Sequence, residues 1–241
     1  MHLQSELHNA LIALDREKLK AEFNSQNEFL VVENFLPESV LGALVSSLPS
    51  LESKVHRNYI PAHKKGGSVS RFDLDRLAPV FGELYHLPEW RVWLNEITSA
   101  NLSFCPAADP HTYALYYYTE PGDHIGWHYD TSYYRGARYT VLFGLVDQST
   151  CRLECELYRG DGKRAPELRS LALRPGTLVI FNGDKLYHRV TPSGEGERRI
   201  VLTLEYLTDA GIMPFRRFVS NMKDAIAYFG FKAVFGHRDA A

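Results

Sequence analysis

The pattern of apolar and polar positions changes character near Asn101. Before it, apolar residues recur mostly at helical spacing. Leu3, Leu7, Leu11 and Leu14 fall three or four apart, which predicts an amphipathic helix over residues 2–22. His2 and His8 on it read as solvated. Phe29 to Val32 is a short apolar run of strand character. Pro37 suits the first position of a helix, because its fixed φ is helical and its missing N–H would have no partner there. Val40, Leu41, Leu44, Val45 and Leu48 form the apolar face of that helix, and Pro49 is expected to end it. Residues 51–76 keep no period. Within them His63-Lys64-Lys65-Gly66-Gly67-Ser68 is expected to be a mobile loop, either a linker or a lid over a site. Two short helices are predicted over 77–86 and 88–99, the second opened by Pro88 and buried through Trp90, Trp93, Leu94 and Ile97.

From residue 101 onward the runs are short and strand-like. They cover 101–105, 112–118, 124–130, 138–146, 151–158, 168–173, 177–181, 186–191 and 198–207, and Gly, Pro and Asp separate them. Strands at this spacing predict a sandwich or barrel. A last helix is expected over 214–229, with Phe215, Phe218, Val219, Met222, Ile226 and Phe229 at helical intervals. The chain therefore reads as mainly β with flanking helices. It is one domain over 1–241, made of a helical N-terminal region (1–100), a β-core (101–207) and a C-terminal helical region (208–241).

Composition narrows the function classes. A length of 241 residues suits one large domain, and the 45% hydrophobic and 23% charged content is that of a globular chain. A net charge of -2 gives no reason to expect nucleic acid as partner. No apolar run is long enough to span a bilayer, so no membrane is expected. The start, Met1-His2-Leu3-Gln4-Ser5-Glu6, lacks the basic region and apolar core of a signal peptide. Cys105, Cys151 and Cys155 are odd in number and form no Cys-x-x-Cys pair, which fits a reducing, cytoplasmic setting and buried thiols.

Candidate chemistry centres on His124-Ile125-Gly126-Trp127-His128-Tyr129-Asp130. Residues two apart on a strand share a face, so His128 and Asp130 stand roughly 6 to 7 Å apart along the backbone and point the same way. A His-x-Asp pair offers two ligands of a two-histidine, one-carboxylate iron site, and a distant histidine would complete it. His188 is the best placed, because it follows the turn and apolar strand Arg174–Phe181 and precedes another turn and strand. Arg198 lies beyond that turn, where a hairpin would return its guanidinium to the metal. A guanidinium grips a carboxylate with two parallel bonds. Iron beside a buried Arg suits a keto-diacid. Arg199 is the rival and faces the other way, with Val201, Thr203 and Glu205. His124 shares the face of His128. Glu120 and Asp123, in the preceding turn, are candidates for a substrate amine, against a plain turn role. Arg71 is a candidate for a substrate carboxylate, against a surface salt bridge.

The segment 112–207 resembles the Fe(II)/2-oxoglutarate-dependent dioxygenase superfamily, in its prolyl-4-hydroxylase-like branch. The resemblance rests on Tyr118, Gly122 and His128-Tyr129-Asp130; on Arg138-Tyr139-Thr140 with Leu145-Val146-Asp147; on Pro175, Gly176 and Phe181; and on His188, Val190, Gly196 and Arg198. Phe29–Pro37 is similar to the entry segment of the same branch. The resemblance implies a double-stranded β-helix (jelly roll, cupin-like). It implies Fe(II) held by His128, Asp130 and His188, and 2-oxoglutarate held by Arg198 with Tyr118 and Thr140. Tyr116 and Tyr117 remain alternatives to Tyr118, and the family spacing favours Arg198 over Arg199. The implied reaction consumes O2 and 2-oxoglutarate and hydroxylates an unactivated C–H bond. Related radical halogenases have a small residue where Asp130 stands, so the carboxylate favours hydroxylation. Cys151–Glu156 stands where the family has Gly-Gly-x-Thr, which counts against a peptidyl-proline substrate. A small molecule, a free amino acid, is the expected substrate. The alternatives are a protein or peptide side chain, and a cupin-like binding protein without catalysis.

Overall fold

The computed structural model describes residues 2–131 and 134–211. The helix expected over 214–229 lies outside them. The N-terminal helix is two: α1 (His2–Ala13) and α2 (Arg16–Ser25). Asp15 separates them, because its extended backbone breaks the helix while its side chain accepts from Lys18 N at 3.0 Å and caps the next one. β1 (Phe29–Val32) matches its expected limits. α3 (Glu38–Ser46) begins just after Pro37. Pro49 then sits in the first turn of a 3-10 helix, Leu48–Lys54, so it opens a turn as well as closing a helix.

The mobile loop expected at 63–68 is a strand. β2 (His56–Ile60) and β3 (Lys64–Ser70) form an antiparallel hairpin, with His63 in its turn. The glycines there serve close packing: a Cβ on Gly67 would lie 2.5 Å from Val55 Cγ1 and 3.2 Å from Tyr117 Cβ. Three helices follow, α4 (Arg71–Leu77), α5 (Val80–His86) and α6 (Pro88–Thr98). The remaining strands are β4 (Ser103–Phe104), β5 (Tyr113–Tyr118), β6 (His124–His128), β7 (Arg138–Gln148), β8 (Leu153–Leu157), β9 (Glu167–Leu171), β10 (Leu178–Asn182), β11 (Tyr187–Val190) and β12 (Arg198–Leu207).

Among the described residues the strands join in the order β1-β10-β7-β12-β5-β3-β6-β11-β8-β9, every pair antiparallel. The sheet curls into a jelly roll, and strict alternation gives it two apolar faces. On β12, Ile200, Leu202, Leu204 and Tyr206 join the cluster that packs against the helices through Phe23, Phe35, Leu44, Trp90 and Trp93. Val201 turns inward, into a second cluster with Phe29, Leu142, Cys155, Leu153, Val179 and Phe181. The helices thus cover one face of the sheet, and the inside of the roll holds the polar site.

Candidate metal centre and cavity

The inward face of the roll encloses a cavity of about 280 Å³. His128 is the last residue of β6 and pairs directly with His188 of β11. Their rings are 4.2 Å apart. Asp130 lies just beyond β6. Its Oδ1 is 3.3 Å from His128 Nε2 and its Oδ2 is 3.8 Å from His188 Nε2. One ligand atom from each of the three lies within 4.8 Å of the others, which is the group of metal-ligand type found among the described residues.

The backbone fixes the chemical form of both imidazoles. His128 Nδ1 is 2.8 Å from Gly126 O, and His188 Nδ1 is 3.1 Å from Leu186 O. A carbonyl only accepts, so each Nδ1 carries a hydrogen, and each Nε2 is the ring nitrogen turned toward Asp130. Burial, then the neighbouring His128, lowers the His188 pKa to about 4, so this ring is neutral near pH 7. Burial alone would raise the Asp130 carboxyl, but His188 and His128 outweigh it and hold the group well below the usual carboxylate range. Two imidazole nitrogens and a carboxylate with converging atoms fit a divalent ion with open positions. Gly183 permits the approach of the strand end: a Cβ there would lie 2.7 Å from Asp130 O and 2.8 Å from Asp130 Cβ.

Thr140 supports the carboxylate and stands outside the cavity lining. Its hydroxyl lies 2.8 Å from Asp130 Oδ2 and 3.0 Å from Glu205 Oε2. Thr140 thus sits against a carboxylate of the candidate metal group. Tyr116 and Tyr118 line the cavity, whereas Tyr117 points into the helix-side core.

Arg198 is misplaced by the motif spacing. It shares the outer face with Ile200 and pairs with Glu52 at the surface, at 2.9 Å. Arg199 is the inward residue. It is 1% exposed, lines the cavity and lies over the Tyr118 ring at 4.8 Å. Its Nε and Nη1 are buried with no hydrogen-bond partner among the described residues. Burial raises the Tyr118 phenol to about 12, against the pull of Arg199.

The remaining expected substrate residues stand elsewhere. Arg71 pairs with Asp75 at 3.1 Å on α4. Asp123 is fully buried in a turn. It takes both ends of the Arg57 guanidinium at 2.6 and 3.0 Å and the N–H groups of Thr119 and Glu120. Glu120 joins the same Arg57 at 3.0 Å. His124 bonds Gly122 O at 2.8 Å, outside the lining. None of the four lines the cavity: Glu120 and Asp123 hold Arg57, His124 bonds a backbone carbonyl, and Arg71 pairs with Asp75 while its Nε is buried without a hydrogen-bond partner among the described residues. The cavity instead takes in residues the sequence did not single out for the site: His63, His111, Arg138 and Glu205. Arg138 Nε bonds Glu205 Oε2 at 2.7 Å. Burial raises the Glu205 carboxyl to about 7, with Arg138 opposing. Inward alternation along β12 was the available signal for Arg199 and Glu205.

No protein-family model and no curated protein matches the chain. Solved structures do match. The non-heme alpha-ketoglutarate-dependent epimerase SnoN from nogalamycin biosynthesis superposes with a TM-score of 0.67 at 14% identity, covering 83% of this chain and 83% of that one. A prolyl-4-hydroxylase from Pseudomonas putida gives 0.61 at 15% identity, over 81% of this chain and all of that one. A prolyl hydroxylase from Trichoplax adhaerens, solved with a hypoxia-inducible-factor peptide, gives 0.65 at 14% identity, over 84% and 92%. The shared feature is the jelly-roll fold.

Proposed function

We propose that the protein is an Fe(II)- and 2-oxoglutarate-dependent oxygenase that hydroxylates a C–H bond of a small molecule. One observation carries the reading. A His128, Asp130, His188 set opens into the same cavity as a buried guanidinium, Arg199, with two donors unbonded. A buried cation without a counter-ion is costly, so the site is built for an anion. The fold shared with an alpha-ketoglutarate-dependent epimerase and with prolyl hydroxylases supports the same reading.

When bound, iron with 2-oxoglutarate and O2 supplies oxidative decarboxylation to succinate and CO2 and delivers an oxygen atom to a C–H bond. The chain's residues do the rest. His128 and His188 Nε2 and the Asp130 carboxylate would hold the metal, with the carbonyls of Gly126 and Leu186 fixing both tautomers. Thr140 fixes the carboxylate. Arg199 takes the far carboxylate of the keto-diacid, and Tyr118 backs the guanidinium. Leu142, Leu153, Val190 and Val201 exclude water from the site. The carboxylate at Asp130 occupies a metal position that a halide would need, which favours hydroxylation. The cavity volume suits a small substrate, and a free amino acid is the class we favour.

The test is direct. The purified protein is expected to bind one Fe(II) and to convert 2-oxoglutarate to succinate with iron and O2 present. His188→Ala is expected to lose both properties. Iron-dependent succinate formation at the wild-type rate in His188→Ala would remove the reading.

A further inference from the structure

The cavity holds a second guanidinium that 2-oxoglutarate does not explain. Arg199 and Glu205 stand six residues apart on the inward face of β12, roughly 20 Å along the strand. Arg138 belongs to the Glu205 end, where it pairs with Leu207 across the ladder. A diacid whose far carboxylate takes Arg199 leaves Arg138, at the Glu205 end of the strand, without that carboxylate.

Arg138 is built for a ligand. It lines the cavity with its side chain 15% exposed. Glu205 Oε2 holds its Nε at 2.7 Å, and its two Nη groups make no hydrogen bond among the described residues. Glu205 thus clamps one edge of the guanidinium and leaves the other edge, a two-pronged donor, toward the cavity. That edge matches a carboxylate. Nearby Asp109 is occupied elsewhere, by Tyr134 Oη at 3.0 Å and His111 N at 2.8 Å. Arg138 is also close to the chemistry. Its Nε donates to Glu205 Oε2 at 2.7 Å, and the Thr140 hydroxyl sits between Glu205 Oε2 at 3.0 Å and Asp130 Oδ2 at 2.8 Å, with one hydrogen to give to either.

We propose that Arg138 is the substrate anchor, and that the substrate carries a carboxylate a few bonds from the carbon that is oxidised. This rests on the oxygenase reading and narrows its substrate class to carboxylic acids, with free amino acids as the probes. Arg138 is the specificity-determining contact, and Glu205 positions it.

The test is anaerobic titration calorimetry on protein loaded with Fe(II). 2-Oxoglutarate is titrated first, then each common amino acid and its carboxamide. At least one amino acid is expected to bind the 2-oxoglutarate-loaded wild type about tenfold or more tighter than its amide, since losing a charge-assisted bond costs about that much or more. Arg138→Met is expected to remove that preference. The paired variant Arg138→Met/Glu205→Gln, which leaves no buried unpaired charge, is expected to do the same while keeping a cooperative unfolding transition. Equal binding of acid and amide, no binding of any acid, or wild-type affinity in the paired variant would overturn the anchor. Failure of the wild type to bind 2-oxoglutarate would overturn the oxygenase reading and the anchor together, and so is distinguishable from failure of the anchor alone.

Discussion

At the scale of single residues the decisive comparison is Arg198 with Arg199. Motif spacing counts from His188 and selects Arg198. Strand alternation counts faces and selects Arg199. The structure follows the faces, because Ile200 and Leu202 are buried under the helices and oblige Arg199 to point inward. A hydrogen bond to a charged group is worth about 1.5 to 3 kcal/mol. Arg199→Ala is therefore expected to raise the 2-oxoglutarate requirement roughly ten- to a hundredfold. Arg198→Ala, which loses an exposed pair, is expected to stay near wild type. Titrating succinate formation against 2-oxoglutarate separates the two; a large effect at Arg198 would refute the placement. His188 gives a second prediction, for the metal-free protein. Its pKa is about 4 when folded against an ordinary 6.5. Between these values the unfolded chain binds the extra proton, so stability falls as pH drops from 6.5 toward 4. Urea midpoints across that window are expected to fall less in His188→Gln than in wild type. Equal falls would mean that the folded site accepts the proton freely.

At the scale of elements, legibility followed how much each segment depends on its own side chains. The limits of β12 were readable from its apolar run, though the motif spacing favoured the wrong one of its two arginines, and His128, Asp130 and His188 were readable because spacing and turns flank them. β3 was not. Lys64-Lys65-Gly66-Gly67-Ser68 has the composition of a loop, yet Lys64 is 1% exposed and lies over the Tyr116 ring at 4.6 Å. Its strand character comes from β5 and β6 on either side, which no local pattern reveals. Arg138 and Glu205 were hidden for the same reason, since they meet only through the pairing of β7 with β12. That pairing contains a tight point. The register shifts between Ile200 and Val201, and Val201 faces Gly144. A Cβ at Gly144 would lie 2.3 Å from Arg174 O and 2.4 Å from Leu173 O. Both are backbone atoms, so the turn before β10 would have to move. Gly144→Ala is expected to cost about 1 to 3 kcal/mol. A urea midpoint unchanged from wild type would show that the turn yields without cost.

At the scale of the whole molecule, the expected division between helical residues before 101 and a β-core after them does not describe how the sheet is built. β1 is one end of the strand order, and β3 lies between β5 and β6. Three strands of the sheet, β1, β2 and β3, are thus supplied by the N-terminal region. The helix-side cluster likewise runs without a break from Phe23, Phe35 and Trp93 to Phe143 and Leu202. Without residues 1–100, β5 and β6 would lose the strand between them, and the buried outer face of β7 and β12 would meet water. Neither region has a closed core of its own, so we propose that the chain unfolds as one unit. The three tryptophans allow a test. Trp90 and Trp93 lie in α6, and Trp127 lies in β6. Fluorescence of a Trp127→Phe variant reports the helical layer, and far-ultraviolet circular dichroism is dominated by the whole secondary structure. The two urea transitions are expected to share one midpoint and one slope. A fragment of residues 101–241 is expected to lack a cooperative transition. Separate midpoints, or a fragment that melts cooperatively, would show that the roll closes without β3.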